Sequence, residues 1–438
     1  MPMKVAVLFS GGKDSTFTIY ECLRKGYDVK YLIAMIPENP HSYMFHHPNV
    51  HLTELQAKSI GIPIIIQHTE GKKEEELKDL RKAIQKVRGD IDGVVAGGLA
   101  SKYQADRIGK VCSSLGLKIV APLWNIEPVR YWKMLLKAGF DIMIVSVSAE
   151  GLGREWLGRK IDWHAFRELK SLSKKFCFHL GFEGGEAETL VLDAPIFKKK
   201  LLVLEAKKEW KKDAGIYLIK DAILMDKKRF AGLMKSYRNR KDEIRRKLHK
   251  FRKVWNAPDT TIFAELCFCL CTPQSKAGVC SSAINKMVDE GILFRGNKKK
   301  IRDALVGVRF HNNKAEWIVE ARRFFTKKGR LKIKEKIDPD NIIRTREWLV
   351  KNIKGLGYKE ASHFLRNIGF GQDIAILDRH ILKNLKRLGV IEEIPKSLSP
   401  LKYRELEKCM HRFSSVIGIP LDELDLLFWS QETGHVFK

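Results

Sequence analysis

The sequence has no apolar run of the roughly 18 residues that a membrane-spanning helix needs. The apolar segment at its start, residues 5–9, is interrupted by Gly-Gly-Lys-Asp and is too short for the core of a signal peptide. Cysteine is scarce, with 8 in 438 residues, which excludes a disulfide framework in a chain of this length. We therefore expect no membrane partner and a reducing cytoplasmic setting.

Metal-ligand spacing is also missing. Cys267, Cys269 and Cys271 form C-x-C-x-C rather than the C-x2-C of a zinc site, which favours small buried thiols on a helix. Four histidines crowd one polar segment without a matching set of carboxylates or cysteines: His41, His46, His47 and His51. The sequence therefore predicts no permanent metal site in the protein.

Acidic residues are outnumbered, because 81 Lys and Arg stand against 52 Asp and Glu, a net charge of +29. Residues 1–225 carry 35 basic and 27 acidic side chains (+8), whereas residues 226–438 carry 46 and 25 (+21). Clustered basic side chains gain most by displacing counterions from a phosphate backbone. The second half is therefore predicted to bind nucleic acid; the alternative is a solvated lysine-rich face in a generally basic proteome.

The length and the hydrophobic share of 44% fit a globular chain of two or three domains. In residues 3–150, short β-branched runs alternate with helical spacing, which predicts a parallel sheet covered by helices, with ligands at the carboxyl ends of the strands. The predicted strands are residues 5–9, 29–36, 63–66, 93–96, 118–121 and 141–145. After residue 225, β-branched runs disappear and basic helical segments dominate, so we expect an α/β domain over 1–225 and an all-α domain over 226–438.

A glycine-rich loop follows the first predicted strand and precedes an apolar helix; its residues are Ser10, Gly11, Gly12, Lys13, Asp14 and Ser15. Two glycines let the backbone approach phosphate oxygens, and the N–H groups at the helix start favour an anion. Asp14 can contribute to phosphate binding only through a cation, so ATP with Mg²⁺ is implied. The spacing is not that of a Walker A loop, which has four residues between its glycines. A chance glycine-rich turn is the alternative.

S-G-G-x-D-S after an N-terminal strand resembles the pyrophosphate-loop ATPases, which cleave ATP between its α and β phosphates. Further segments are similar to those of the diphthine:ammonia ligase family, in the same order: residues 39–46, 98–117, 122–124, 157–159 and 183–193. The resemblance covers about residues 3–225. It implies an adenine nucleotide alpha hydrolase-like fold and an enzyme that adenylates the diphthine carboxylate of translation elongation factor 2 and lets ammonia displace AMP.

The same resemblance assigns a diphthine and ammonia site to Gln104, Arg107, Glu183, Glu186 and Glu188. Three glutamates among glycines could receive a trimethylammonium group or the incoming ammonium and accept its proton. A solvated acidic turn is the alternative for them. Phe182 departs from the family, which usually has glycine before the first of these glutamates.

In the second half, an amphipathic helix is predicted to stop at Gly355, turn through Gly-Leu-Gly and restart at Tyr358. Gly355 and Gly357 allow a tight turn whose N–H groups point at a phosphate, so this helix-hairpin-helix is expected to clamp DNA without reading its sequence. Alone, G-x-G also fits a simple interhelical turn. Lys359 begins the second helix and Asp378 lies 19 residues further on; a helix of about eleven residues and a return loop can bring the carboxylate beside the amine.

This pair and its spacing resemble the helix-hairpin-helix DNA glycosylase/AP lyase superfamily, and residues 265–272, 357–367 and 424–438 are similar to the archaeal 8-oxoguanine glycosylases. The resemblance implies double-stranded DNA with 8-oxoguanine or abasic sites as the substrate. It implies Lys359 as a neutral amine that attacks the anomeric carbon and forms a Schiff base, and Asp378 as the carboxylate that stabilises the developing positive charge. It also implies that the main-chain carboxylate of Lys438 reaches the damaged base.

A phosphate-contacting lysine is the alternative for Lys359, and a monofunctional glycosylase would lack this lysine. No C-x6-C-x2-C-x5-C set follows the hairpin, so we expect no cofactor and no iron–sulfur cluster in this half. The leading hypothesis is two enzymes on one chain. The alternatives are a first half that modifies tRNA, for which thiol or zinc motifs are expected and not found, or a degenerate nucleotide-binding module beside a working glycosylase.

Overall fold

The computed structural model describes residues 1–38, 48–71, 75–97 and 102–436, with side chains from residue 106 onward in the helix that starts at Lys102. The chain divides into two compact units, Met1–Lys227 and Lys228–Lys438. Within the described ranges, no helix is both long enough and apolar enough to cross a membrane.

The first unit is built on a five-stranded parallel sheet with the order β3-β2-β1-β4-β5. The strands are β1 (Lys4–Leu8), β2 (Asp28–Pro37), β3 (Ile64–Thr69), β4 (Gly93–Val95) and β5 (Lys118–Val120). Both faces of β1 are covered, because Val5 and Val7 belong to one apolar cluster and Ala6 to another. The strand order reverses between β1 and β4, and ligands of open α/β sheets bind at the carboxyl side of such a switch point.

Six helices accompany these strands: α1 (Lys13–Arg24), α2 (Thr53–Ile60), α3 (Glu75–Gln85), α4 (Lys102–Ser114), α5 (Pro128–Lys137) and α6 (Trp163–Phe176). The prediction of a parallel α/β sheet is confirmed for the first five strands.

The sixth predicted strand belongs to a second, antiparallel sheet with the order β7-β6-β9-β8, so its assignment to the parallel sheet was wrong. This sheet contains β6 (Asp141–Val147), β7 (Ala187–Asp193), β8 (Lys199–Lys211) and β9 (Ala214–Asp226). Residues 142–145 of β6 are buried on both faces, so the strand has the uniformly apolar pattern of a parallel strand. The long β8–β9 hairpin carries many charged residues and few β-branched ones, so its sequence lacks the usual pattern of a strand pair.

As far as the structure describes it, the second unit is helical apart from a short hairpin, β10 (Thr326–Lys327) and β11 (Arg330–Leu331). Its helices are α7 (Lys227–Val254), α8 (Asp259–Cys271), α9 (Ala277–Asp289), α10 (Ile292–Arg295), α11 (Lys298–Ala304), α12 (His311–Phe325), α13 (Ile342–Asn352), α14 (Tyr358–Asn367), α15 (Arg379–Leu388), α16 (Pro400–Ile417) and α17 (Leu421–Thr433).

The central helix of this unit is α8, whose last six residues, 266–271, are completely or almost completely buried. The C-x-C-x-C run lies there, which confirms the prediction of small buried thiols on a helix. Burial raises the pKa of Cys271 to about 12, so this thiol stays protonated.

Candidate active sites

The first site begins where β1 ends and α1 starts. Gly11 has φ of +81°, and a Cβ built there would lie 2.2 Å from Oε1 of Gln56, so only glycine fits. Gly12, which has no side chain, is the extended N-cap of α1. The hydroxyl oxygens of Ser10 and Ser15 lie 3.3 Å apart across the loop. Amide groups and hydroxyls therefore converge at the carboxyl end of the central strand, as phosphate binding requires.

The loop is held from behind by α2 and β7. The Gln56 amide donates to the carbonyl oxygens of Gly11 (3.0 Å) and Val191 (2.8 Å), and the Val191 N–H donates to Gly11 O (3.0 Å). The Lys13 N–H donates to Thr189 Oγ1 (3.1 Å). These partners come from distant parts of the sequence, so no local pattern predicts them.

Lys13 is buried in the first unit, with its side chain 2% exposed. Its ammonium group donates to both oxygens of Asp14 (3.0 and 2.8 Å) and to the Gly181 carbonyl (2.7 Å). The Tyr131 hydroxyl also donates to Asp14 Oδ1 (2.8 Å), and burial raises the pKa of Tyr131 well above its ordinary value, so it remains a donor. Lys13 and Tyr131 thus fix the orientation of the Asp14 carboxylate.

The predicted acidic loop is partly organised by its own carboxylates. Glu186 accepts hydrogen bonds from the backbone N–H groups of His179 and Gly184, both at 2.9 Å, so it shapes the loop. Glu183 lies near enough to Tyr131 to contribute to raising its pKa, after burial and Asp14. Glu188 lies on β7, the strand that holds the glycine loop. The structure therefore brings the acidic loop and the glycine loop to one region of the first unit.

Phe182 adopts a left-handed backbone with φ of +63°, a conformation that favours glycine. The conformation is offset by packing, because the ring contacts Trp132 (centroids 5.9 Å apart) and Phe178 (6.4 Å). The Lys13 ammonium lies 5.5 Å from the centre of the same ring. The residue that departs from the family pattern thus forms part of the cage around Lys13.

Several predicted residues of this site fall outside the described parts of the chain: the segment 39–46, residues 98–101 and the side chain of Gln104. Arg107 lies on α4 and is half-buried. Gly97, just before 98–101, packs against the glycine loop, since a Cβ there would lie 3.0 Å from the backbone of Ser15. Gly97 therefore lies beside the glycine loop.

The second site begins at the turn between α13 and α14. Gly355 has φ of +83°, and a Cβ there would lie 2.2 Å from the Trp317 ring. Gly357 is the extended N-cap of α14. The helix ends at Asn352 and restarts at Tyr358, close to the predicted boundaries. The turn therefore presents the amide groups at the start of α14, which suits a phosphate.

A cavity of about 1300 Å³ adjoins this helix, and both Lys359 and Asp378 line it. The Lys359 side chain is 25% exposed, with its amine 3.6 Å from Glu360 Oε1. Asp378 is the N-cap of α15, and its Oδ1 accepts from the N–H groups of His380 (2.8 Å) and Ile381 (2.9 Å). A lysine and a carboxylate that are 19 residues apart in sequence therefore face the same space.

The return loop that leads to Asp378 is held by α16. The Tyr403 hydroxyl donates to Ala375 O (2.7 Å) and accepts from Leu377 N (3.2 Å). Glu407 accepts from Ala375 N (2.7 Å) and from the buried guanidinium of Arg346 (2.7 Å to Oε2). The loop is thus held by buried polar groups within three residues of Asp378, which restrains this side chain.

Asp425, on α17, lines the cavity and was not among the predicted site residues. Burial raises the pKa of its carboxyl to about 7, although the Arg366 guanidinium 3.6 Å away opposes the shift. The only sequence signal was an aspartate between leucines on a helix, the pattern of a buried carboxyl. Asp425 is therefore a buried carboxyl at the wall of the cavity, and its surroundings favour the protonated form.

Two apolar side chains near the cavity are exposed, Val306 (79%) and Phe310 (56%). Between them, Gly307 and Arg309 line the cavity. Phe310 has φ of +56° and is the N-cap of α12. Lys438 lies outside the described residues, but Thr433 and His435 line the cavity, so the described chain approaches its end there.

No group of three or more His, Cys, Asp and Glu side chains is arranged to hold a metal ion in the part of the chain that the structure describes.

Comparison with known proteins divides the chain in two. Family models for the diphthamide synthase N-terminal domain and C-terminal domain match residues 3–119 and 127–225, and a model for 8-oxoguanine DNA glycosylase matches residues 244–419. The 8-oxoguanine DNA glycosylase/AP lyase of Fusobacterium nucleatum is 43% identical over 211 residues, 48% of this chain and 97% of that protein. The protein of the same name from Methanocaldococcus jannaschii is 41% identical and covers 45% and 93%. Human diphthine–ammonia ligase is 32% identical over 223 residues, 46% of this chain and 83% of that protein.

Proposed function

Because the chain belongs to two enzyme families, the diphthine–ammonia ligases through its first half and the 8-oxoguanine DNA glycosylase/AP lyases through its second, we propose that it carries two activities. The first is ATP-dependent amidation of diphthine on translation elongation factor 2. The second is excision of 8-oxoguanine from double-stranded DNA with cleavage of the abasic site. The observation that carries the second is the meeting of Lys359 and Asp378 at one cavity.

DNA binding begins at the glycine turn before α14, where the Gly355 and Gly357 backbone approaches a phosphate without reading sequence. The damaged base must leave the stack to be reached, and the cavity of about 1300 Å³ receives it. Phe310, Val306 and Arg309 lie near the cavity and fill the space that the base leaves in the duplex. Family resemblance adds the terminal carboxylate of Lys438 as a contact to the base.

Lys359 supplies the nucleophile of the second site. Its amine attacks the anomeric carbon C1′, and the bond from C1′ to the base breaks as the base takes the electron pair. Asp378 stabilises the positive charge that develops on the sugar and helps the amine lose its proton. Ring opening gives a Schiff base to C1′; loss of a C2′ proton then expels the 3′ phosphate by β-elimination. No cofactor enters these steps.

Borohydride trapping tests this assignment, since it reduces the Schiff base to a stable cross-link. The full chain should cross-link to DNA that contains 8-oxoguanine, and Lys359→Gln should not. Asp14→Ala is the matched control and should trap like the wild type, because Asp14 belongs to the other unit. Trapping that survives Lys359→Gln would overturn the lyase assignment.

In the first unit, the glycine loop supports the activation of a carboxylate. The diphthine carboxylate attacks the α-phosphorus of ATP, and pyrophosphate leaves while the amide groups of the loop, Ser10 and Ser15 bind it. Asp14 accepts three hydrogen bonds, from Lys13 and Tyr131, which leaves part of its acceptor capacity. That capacity fits a Mg²⁺ ion, which when bound with ATP would neutralise charge on the phosphates.

The acidic loop supports the second step of amidation. Glu183 and Glu188 attract the ammonium ion and accept its proton, ammonia attacks the acyl carbon, and AMP leaves. Glu186 keeps the loop in shape through its two backbone hydrogen bonds. Family resemblance adds Gln104 and Arg107 to this site.

The ligase assignment is tested by AMP release in the presence of ammonium and elongation factor 2 that carries diphthine. Asp14→Ala should lower AMP release about 100-fold, a loss of the size seen when one charge-stabilising group is removed. Lys359→Gln should leave AMP release unchanged and is the matched control. Undiminished release by Asp14→Ala would contradict the proposal, and release that depends on tRNA instead would favour tRNA modification.

A further inference from the structure

A second lysine of the glycosylase unit, Lys314 on α12, is buried behind the wall of the cavity with 1% exposure. Its ammonium group donates to Cys271 O (2.7 Å), Pro273 O (2.8 Å) and Ser275 Oγ (3.1 Å). An ammonium group has three donors, so these three acceptors use all of them. Burial lowers the pKa of Lys314 from its ordinary value.

The segment that Lys314 holds is itself part of the cavity wall. Thr272, Gln274, Ser275 and Lys276 all line the cavity. Gln274 has φ of +56°, a backbone conformation that residues other than glycine rarely adopt and that persists only where the surroundings impose it. Lys314 bonds to the residues on both sides of Gln274 and, together with the Ser275 N–H that donates to Thr272 O (3.0 Å), holds this conformation.

The same ammonium group is also linked to a second part of the wall through one residue, Ser275. Ser275 Oγ accepts from the Arg309 N–H (3.0 Å) as well as from Lys314. Gly307 and Arg309 line the cavity too, and Phe310 follows them. Lys314 therefore couples the segment around Gln274 to the segment that precedes α12, and both face the space proposed for the extruded base.

We infer that Lys314 is a positioning residue for base excision, which acts by fixing the Gln274 and Arg309 segments rather than by touching the sugar. This inference rests on the proposed glycosylase function. A purely structural role as a cap on α8 would affect base excision and abasic-site cleavage equally. A positioning role predicts that substitution of Lys314 lowers base excision more than abasic-site cleavage. An abasic site has no base to receive, so its cleavage needs Lys359 and Asp378 but not the correct shape of this wall.

The test compares Lys314→Met with Arg322→Met in the full chain. Arg322 lies on the same helix and donates to Leu293 O (3.0 Å) and Gly296 O (2.7 Å), which do not line the cavity. Both variants lose hydrogen bonds to buried carbonyl groups, and only one loses contact with the wall. Single-turnover excision from 8-oxoguanine DNA and borohydride trapping on DNA with a preformed abasic site would be measured below the melting temperature of each.

Lys314→Met should lower excision about 10-fold to 100-fold, the cost of misplacing a bound group by about 1 Å, while abasic-site trapping stays within about 3-fold of wild type. Arg322→Met should leave both within about 3-fold, since it does not touch the wall. Equal losses of excision and trapping in Lys314→Met would overturn the inference.

Ser275→Ala keeps the test usable if Lys314→Met fails to fold, because it removes only the hydroxyl that joins Lys314 to Arg309. It should lower excision more than trapping, and an unchanged ratio of the two would also overturn the inference. A wild-type chain that cleaves abasic sites but excises no 8-oxoguanine would instead contradict the proposed function, which is a separate result.

Discussion

The glycine turn before α1 and the glycine turn before α14 have the same construction in unrelated folds. The first glycine of each is left-handed, Gly11 at +81° and Gly355 at +83°, and a Cβ on either would lie 2.2 Å from a neighbouring side chain. The second glycine, Gly12 or Gly357, is the extended N-cap of the helix. Both turns bring backbone amide groups to a position where an anion can bind.

The lysine that follows each turn is used in opposite ways. Lys13 is 2% exposed and its three donors are bound to Asp14 and Gly181, whereas Lys359 is 25% exposed and faces a cavity. Lys13 is the first residue of α1 and Lys359 the second of α14, and one residue turns a side chain by about 100° around a helix. Exposure and bonding, rather than residue type, therefore separate a positioning lysine from a candidate nucleophile.

The largest expected effect on this comparison is at Asp378, the carboxylate that lines the same cavity as Lys359. Asp378→Asn should lower excision about 100-fold to 10,000-fold, because the charge that assists the amine is lost. Asparagine caps helices as well as aspartate does, so the melting temperature should change little. Single-turnover kinetics and thermal unfolding measure the two effects.

The matched control is Asp162→Asn, since Asp162 caps α6 in the other unit with its carboxylate bonded to Ala165 N (2.8 Å). It should leave excision unchanged. Excision by Asp378→Asn within tenfold of the wild type would show that Lys359 needs no carboxylate, in contrast to Lys13, which is paired with Asp14.

Substitutions at Gly355 and Gly357 test whether the two glycines of the second turn have different roles. Gly355→Ala should lower the free energy of unfolding of the second unit by about 2–4 kcal/mol, because alanine is strained at positive φ and its Cβ meets the Trp317 ring. Gly357→Ala meets only the end of the Glu360 side chain, at 3.0 Å, and should affect DNA affinity more than stability. Denaturant unfolding and DNA titration separate these outcomes, and equal stability losses would contradict the explanation.

The pH dependence of stability should differ between the units because of Asp425. A carboxyl whose pKa is raised to about 7 in the fold contributes stability that is complete below pH 4 and is lost as pH rises to about 7. The wild type should therefore lose stability over this range and Asp425→Asn should not. Between pH 5 and pH 8, the free energy of unfolding of Asp425→Asn should rise by roughly 1–4 kcal/mol relative to that of the wild type. Chemical unfolding across that range measures the change.

Asp289→Asn, at an exposed position of α9, is the control for this prediction and should follow the wild type at every pH. If the free energies of unfolding of Asp425→Asn and wild type differed by the same amount at every pH, the Asp425 carboxyl would be ionised throughout the range.

Local patterns account for what the sequence predicted. Periodicity or glycine placement within about 20 residues was enough to predict four features. These are the five parallel strands, the glycine loop, the hairpin boundaries and the spacing of Lys359 and Asp378. Placing β6 in its sheet required partners on β7 and β9, which its own apolar pattern does not specify. Gln56, Tyr131 and Lys314 gain their roles from hydrogen bonds to residues 39 to 135 positions away, and no local pattern marks such pairs.

The smallest expected effect concerns the hydrogen bond from Tyr131 to Asp14 beside the first turn. Tyr131→Phe removes one hydrogen bond to Asp14 but keeps the ring that lies 5.9 Å from the Lys13 ammonium, so Lys13 still bonds Asp14. We expect ATP-dependent AMP release to fall about 2-fold to 10-fold, the value of one hydrogen bond. Tyr20→Phe, beside Phe17 in the same aromatic cluster, is the control and should have no effect. A loss above about 100-fold would make Tyr131 a catalytic group rather than a positioning one.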